Sequence, residues 1–301
     1  MVHVENLTRR FGDRTAVSKL NFRVAPGEVF GILGPNGSGK STLFRIMATM
    51  LAPSEGTIRV NGFDVTRQPD RVRASIGVVF QSFSLDRKLT VDENLVAQGN
   101  LYGLSGADLR GRIEASASRL GLAGRRRDLV GTLSGGLQRR VEIAKALLHQ
   151  PAVLLMDEPS TGLDPAARRE LGQYVDELRA AGVTILVTTH ILDEADRCDR
   201  LLLMHEGRRV AEGTPAELKA RVGGDVVVLE TEQPERLSAR LKERFGVAPS
   251  LAGGALRVEI ANAHRFVAEA IEAFPGAIEA VALHKPTLED VFLDLTGARI
   301  S

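Results

Sequence analysis

Gly34-Pro35-Asn36-Gly37-Ser38-Gly39-Lys40-Ser41-Thr42 decides the reading of this 301-residue chain. The stretch fits G-x-x-x-x-G-K-[ST], follows the apolar, strand-length run Val29–Leu33 and precedes the helical pattern Thr42–Met50. Strand, loop and helix therefore come in the order that gives the motif its meaning. Its glycines let the backbone wrap an anion closely, turning successive N–H groups toward phosphate oxygens at a helix N-terminus whose partial positive charge favours them. Lys40 is expected to bridge β- and γ-phosphates and the Ser41 hydroxyl to ligate Mg2+. Asn36, Gly37, Ser38, Gly39 and Thr42 complete the cradle. A glycine-rich turn with a solvated lysine is the competing reading, and the flanking strand and helix weigh against it.

The runs Val29–Leu33, Ile76–Phe80, Val153–Met156, Val183–Thr188 and Arg200–Met204 are apolar and of strand length, and they alternate with helical patterns. Continuous apolar runs suit parallel strands buried on both faces, which predicts an α/β sheet. Val153-Leu-Leu-Met-Asp157-Glu158 closes such a strand with two acids, placing them at the carboxyl edge of the sheet, where open α/β folds bind ligands. Asp157 is expected to hold Mg2+ through a water, and Glu158 to polarise the attacking water as general base. Between Asp92 and Gln150 the pattern turns helical, which we read as a helical insertion over about 82–149.

Composition bounds the rest. Hydrophobic residues make up 44% and charged residues 26%, with 39 basic against 38 acidic side chains, the balance of a folded protein with a sizeable core. Apolar stretches such as Ala152–Met156 and Val183–Val187 are far shorter than the roughly 20 residues that cross a bilayer. The N-terminal Met-Val-His-Val-Glu-Asn has neither a basic nor an apolar leader segment, so no secretory signal is expected. One cysteine, Cys198, excludes an internal disulfide and a cysteine-based zinc cluster; it reads as a small buried hydrophobe in a cytoplasmic chain. With no Trp and two Tyr, stacking platforms for single-stranded nucleic acid are not expected. Residues 223–301 carry eight Lys/Arg and twelve Asp/Glu, a balance of −4 that leaves +5 on the first 222. The sign changes at Gly223-Gly224, where a domain boundary is expected. The later segment reads as a small α+β module, with strands Asp225–Glu230, Leu256–Ile260 and Ala277–Leu283 and helices Pro234–Phe245, Ala263–Phe274 and Pro286–Leu295.

Leu133-Ser134-Gly135-Gly136-Leu137-Gln138-Arg139-Arg140 resembles the signature of ATP-binding-cassette (ABC) ATPases, the engine subunits of ABC transporters. Gln81, after the run Ile76–Phe80, stands where that family has its Q-loop glutamine. Ser160-Thr-Gly-Leu-Asp164 resembles the D-loop, His190 stands in the place of the switch histidine, and Phe11 matches the aromatic stacked on adenine. Order and spacing agree over about residues 1–220.

The resemblance implies a P-loop NTPase of RecA-like α/β fold with an antiparallel β edge, a helical signature subdomain, and the C-terminal α+β domain as an accessory or regulatory part. It implies ATP hydrolysis with Mg2+ in a head-to-tail dimer with two ATP sites. Each site would combine Phe11, Asn36 to Thr42, Gln81, Asp157, Glu158 and His190 of one chain with Ser134, Gly135 and Gly136 of the other, and Asp164 would lie close by. Gln81 would touch the metal and the attacking water, and His190 would sense the γ-phosphate. Residues 82–90 would meet a separately encoded multi-span permease at the cytoplasmic face of the membrane. For Phe11 a core position is the competing reading. Leu137 departs from the Gln common in the signature and cannot hydrogen-bond a nucleotide, while the backbone donors beside it are unaffected. The apolar residue there and the ending His284-Lys-Pro-Thr-Leu-Glu-Asp-Val-Phe-Leu-Asp-Leu-Thr-Gly297 resemble exporter ATPases linked to drug and antibiotic resistance. Arg125-Arg126-Arg127 reads as solvated surface, with a face toward permease or lipid as the alternative.

Two other classes compete. One is a soluble cassette ATPase acting without a permease on ribosomes, DNA or cofactor assembly; the ribosome-acting kind usually carries two cassettes and the DNA-repair kind a long coiled coil or zinc sites, whereas this sequence has one phosphate loop, one cysteine and no long heptad run. An ATP-regulated binding module without turnover would be expected to lack Glu158, which is present.

Overall fold

The computed structural model describes residues 1–300, which form two compact units, Met1–Glu212 and Gly213–Arg299. In the first, Val29–Leu33 lies inside a six-stranded sheet. The strand order is Arg208–Gly213, Arg200–His205, Val29–Leu33, Thr184–Thr189, Val153–Asp157, Ile76–Val79. From Arg200–His205 to Ile76–Val79 the pairs are parallel. Every residue of Val29–Leu33, Val153–Asp157 and Thr184–Thr189 is buried, which is why these strands read as unbroken apolar runs. The register pairs Leu33 with Thr189, Asp157 with Thr188 and Val79 with Met156. The carboxyl ends of four strands thus meet along one edge, and the residues that follow them are Gly34, Phe80-Gln81, Glu158 and His190.

A second, antiparallel sheet has the order Arg14–Val24, Val2–Phe11, Glu55–Val60, Phe63–Asp64. The sequence reading located none of these strands individually. Their burial alternates, buried-exposed-buried at the start of Val2–Phe11, because one face looks to solvent. The inward residues Val2, Val4, Leu20, Phe22, Ile58 and Val60 share one core with Phe30 and Ile32 of the parallel sheet and with Leu43, Phe44 and Met47. The last three lie on helix Lys40–Met47, so the helix that begins at the phosphate loop is held between the sheets by apolar burial. Each such side chain contributes about 1.5–3 kcal/mol.

The expected helical insertion consists of Val91–Leu101, Gly106–Arg119 and Gly135–Leu147. The first is closed by a reciprocal cap between Thr90 and Glu93. Before it, residues 82–90 carry no helix or strand.

The second unit begins at Gly213, ten residues before Gly223-Gly224, with helix Pro215–Lys219. That short helix packs against Leu288–Thr296 of the same unit, a long-range contact that no local break in charge or glycine content reveals. A four-stranded antiparallel sheet, order Ser250–Ala252, Ala255–Ile260, Asp225–Glu230, Ala280–His284, carries helices Pro234–Phe245 and Ala263–Ala273 in a β-α-β-β-α-β succession. Val227, Leu229, Leu237, Leu241, Leu256, Val258, Phe266 and Phe274 form its core.

Gly56 fastens the strand that ends at Phe11. Its φ is +79° and an added Cβ would lie 2.3 Å from the carbonyl oxygen of Asn6, where no side chain fits without moving the backbone. Gly56→Ala should destabilise the first unit by about 2 kcal/mol, read as a lower urea midpoint by circular dichroism. An unshifted midpoint would show that the two strands can part without cost.

Candidate active site

The phosphate loop follows the buried strand Val29–Leu33 and enters helix Lys40–Met47 through Gly39, whose φ is +102°. A Cβ on Gly39 would lie 2.4 Å from the Ala16 carbonyl oxygen, and one on Gly34 would lie 2.3 Å from that of Met204. Backbone crowds the loop from behind and leaves its front open. The first amides of helix Lys40–Met47 have no intrahelical acceptor, and Gly39 has no side chain to cap them, so an anion is their natural partner. Phe11, Arg14, Ala16, Asn36, Gly37, Gly39, Lys40, Ser41, Thr42 and Glu158 line one open cleft. Ser38 stands behind it, buried, its hydroxyl without a hydrogen-bond partner among the described residues. Phe11 is 45% exposed, with the Arg9 guanidinium 4.6 Å from its ring centroid; it is no core residue, and its ring is available to stack.

Glu158 is the hub. Lys40 Nζ lies 3.3 Å from its Oε1, with side chains 3% and 7% exposed, and the same ammonium donates to the carbonyls of Gly34 at 2.7 Å and Pro35 at 3.0 Å. Burial holds the Lys40 pKa below its ordinary value, opposed by the attraction of Glu158. Gln81 Nε2 donates to Glu158 Oε2 at 3.3 Å, Thr161 Oγ1 donates to the same oxygen at 3.4 Å, and His190 Nδ1 lies 3.2 Å from it. The predicted Lys40, Gln81, Glu158 and His190 are therefore one cluster. Glu158 has φ +44°, an uncommon conformation for a residue with a side chain, and such strain concentrates at functional sites.

Thr188 supports both acids, and the sequence reading gave it no role. Its hydroxyl donates to Asp157 Oδ1 and accepts the Glu158 amide. Asp157 is buried, and burial raises its pKa, with the Thr188 hydrogen bond opposing the rise. Two oxygen donors, the Asp157 carboxylate and the Ser41 hydroxyl, suit Mg2+, a hard cation that keeps several of its waters. Thr189 carries a second layer: its hydroxyl donates to Glu194 and accepts the Ile191 amide, bracing the turn that holds His190. The paired threonines before His190 were the only local signal for either contact. Cys198 is buried and burial pushes its thiol pKa up, in keeping with an inert apolar role.

Ser134, Gly135 and Gly136 are not among the residues that line this cleft. They open helix Gly135–Leu147, with Ser134 Oγ accepting the Leu137 amide at 3.4 Å, and a Cβ on Gly136 would lie 2.9 Å from that of Ala167. Asp164 caps helix Pro165–Ala180 by accepting the amides of Ala166 and Ala167, each at 2.9 Å, and the Ala167 bond leads the causes that hold its pKa low.

Residues 17–161 match a family described as ABC transporter, and residues 129–194 match an overlapping one described as AAA domain, putative AbiEii toxin, Type IV TA system. The chain is 40% identical over 302 residues to the daunorubicin resistance ATP-binding protein DrrA3 of Streptomyces coeruleorubidus, spanning 98% of this chain and 96% of that one. It is equally 40% identical to the Nod factor export ATP-binding protein I of Paraburkholderia xenovorans, spanning 98% and 97%. Among solved structures, cbiO1 from Clostridium perfringens, part of the ABC transporter complex cbiONQ, superposes with a TM-score of 0.68 at 31% identity, over 81% of this chain and 95% of that one. A dimeric post-hydrolysis state of the ATP-binding cassette MJ0796 bound to ADP and Pi gives a TM-score of 0.63 at 30% identity, over 71% and 98%. Similarity that runs the length of the chain, and not over the phosphate loop alone, makes it a member of the ABC transporter ATP-binding protein family.

Proposed function

We propose that this chain hydrolyses ATP to ADP and phosphate as the motor of an exporter whose membrane permease is a separate chain. The observation that carries the reading is the convergence of Lys40, Gln81 and His190 on one buried carboxylate, Glu158. With ATP in the loop, the backbone amides and Lys40 hold the phosphates, and the ammonium exchanges Glu158 for the β- and γ-oxygens. Glu158, oriented by Gln81, then accepts a proton from the attacking water, an effect typically worth about 10²–10⁴-fold. His190 reads the γ-phosphate. Ser41, Gln81 and Asp157 would hold Mg2+, which supplies charge neutralisation on the phosphates. Phe11 receives the adenine.

Ser134, Gly135 and Gly136 serve the site of a second copy. Their helix start offers the γ-phosphate a second set of amides, so ATP joins the two chains head to tail, and Asp164 lies at the same junction. MJ0796, an ATP-binding cassette solved as a dimer bound to ADP and Pi, supports a pairing of two copies. The helical insertion exposes Phe83, Val96, Leu101 and Tyr102, apolar surface suited to a cytoplasmic segment of the permease. Among the described residues no helix is long and apolar enough to cross a membrane, and the reading assigns that span to the permease, with this chain peripheral on the cytoplasmic side. Relatives named for daunorubicin resistance and Nod factor export support a drug, antibiotic or lipid-like cargo. The unit from Gly213 onward is proposed to regulate or steady the dimer.

Three outcomes check this. Glu158→Gln should bind ATP, lose at least about 100-fold in turnover and accumulate a nucleotide-bound dimer by size exclusion; unchanged hydrolysis removes Glu158 from the role of base. Purified from its native membrane, the chain should bring a multi-span protein with it, and recovery with rRNA or DNA instead would defeat the transport reading. Glu194, braced against Thr189 behind His190, has its carboxyl pushed up to about 7, mainly by burial. A carboxyl raised in the folded state contributes fully below its unfolded value of 4.5 and loses that contribution as pH climbs through 7. Glu194→Gln should therefore gain stability relative to the parent between pH 5 and 8, by about 2 kcal/mol, measured by urea unfolding; a constant difference across that range would refute the charge cost.

A further inference from the structure

One face of the signature helix holds the segment that carries Gln81. Arg139, 1% exposed, donates from Nη1 to the carbonyl of Phe80 at 2.6 Å and from Nη2 to that of Gln81 at 2.8 Å. Its guanidinium also lies 4.6 Å from the Phe83 ring centroid. One turn on, Glu142 accepts the Ser84 amide at 2.6 Å, and Lys145 Nζ donates to the Ser84 carbonyl at 2.9 Å. Positions 139, 142 and 145 share a helix face by their spacing of three. Residues 80–84 belong to no helix or strand, so these side chains supply main-chain partners that regular structure would otherwise provide. A buried cation is a costly way to fill space, and an apolar residue of similar volume often does as well or better. What an apolar residue cannot do is grip two successive carbonyls with one rigid fork and so set the direction in which Gln81 leaves its strand.

We propose that Arg139 is a positioning residue that couples the two nucleotide sites of the dimer. The inference rests on the head-to-tail reading above. When Ser134, Gly135 and Gly136 at the head of the helix engage the partner copy's nucleotide, the helix carries Arg139 with it, and Arg139 moves the Gln81 backbone. The Gln81 side chain donates to Glu158 at 3.3 Å, so occupancy of one site is felt at the catalytic carboxylate of the other. The path is a continuous chain of hydrogen bonds within the first unit, and coupling of this kind acts equally in both directions at the level of binding.

The test is the ATP dependence of hydrolysis by the full chain, with Arg139→Gln, Arg139→Lys and Lys145→Ala beside the parent. The parent should show a sigmoidal curve. Arg139→Gln should become hyperbolic, with kcat down roughly tenfold, the affinity for the first nucleotide unchanged and the cooperativity of equilibrium binding lost. Arg139→Lys keeps the charge but not the fork, and should fold while staying hyperbolic; Lys145→Ala should flatten the curve in part. A purely structural Arg139 would lower the melting temperature and leave the curves sigmoidal, which overturns the proposal. If Arg139→Gln does not fold, sigmoidal curves for both remaining variants overturn it equally. Failure of the dimer reading is separate: the Glu158→Gln chain would then remain monomeric with ATP, whereas a trapped dimer with sigmoidal Arg139 variants defeats only the coupling.

Discussion

Two opposite charges buried 3.3 Å apart, Lys40 and Glu158, are the constraint around which the first unit is arranged. Withdrawing both from water costs several kcal/mol per ion, and mutual attraction offsets this only when further hydrogen bonds complete the arrangement. Here they do. Lys40 has two loop carbonyls, and Glu158 has Gln81 and Thr161. The pair spans the two nucleotide motifs, so neither loop can drift without exposing a lone buried charge. It also places a carboxylate beside the lysine at the mouth of the phosphate loop. In the proposed mechanism, substrate phosphates would take over the ammonium and free Glu158 to act as a base.

The pair meets because of sheet register. Glu158 follows Val153–Asp157 and Lys40 follows Val29–Leu33, with Thr184–Thr189 between those two strands. The intervening strand is where Thr188 and Thr189 sit, each with a hydroxyl that both donates and accepts. Thr188 holds Asp157 and the Glu158 amide, while Thr189 holds Glu194 and the Ile191 amide. Two adjacent hydroxyls on one buried strand end thus fasten Asp157, the backbone of Glu158 and the turn that holds His190. The strained φ of Glu158 is sustained by this network, since its amide is bound to Thr188 through both the carbonyl and the hydroxyl.

The parallel sheet was legible because every residue of Val29–Leu33, Val153–Asp157 and Thr184–Thr189 is buried, and long apolar runs mark them. The antiparallel sheet was not, because Arg14–Val24 and Glu55–Val60 bury one face and interleave charges on the other, a pattern that looks like loop without its partners. Lys40, Gln81, Glu158 and His190, the members of the cluster, were each singled out at the end of a strand or in a glycine-rich turn. Their distances from Glu158 were not legible, because these depend on register between segments that are 32 residues apart for His190, 77 for Gln81 and 118 for Lys40. Arg139 shows the limit most clearly. In sequence it is one of two adjacent arginines after the signature, indistinguishable from solvated surface, and only the fold reveals that it is buried against Phe80 and Gln81 while Arg140 beside it pairs with Glu170.

Leu137 follows from the same division of labour. The signature helix buries Arg139 and Glu142, while in its first turn Ser134 Oγ accepts the Leu137 amide at 3.4 Å, the long limit of a hydrogen bond; in the proposed dimer this turn would face the partner copy's nucleotide. A cap that weak is readily exchanged for a phosphate oxygen, because the amides of that turn gain a charged acceptor in return. Leu137 contributes its N–H to this exchange, and the N–H is independent of side-chain type. A side-chain amide at that position would add one contact, whereas the helix start and the two glycines supply the donors that any residue there must leave accessible. In the proposed dimer, the departure at Leu137 would therefore alter the rim of the second half-site and leave its backbone donors intact.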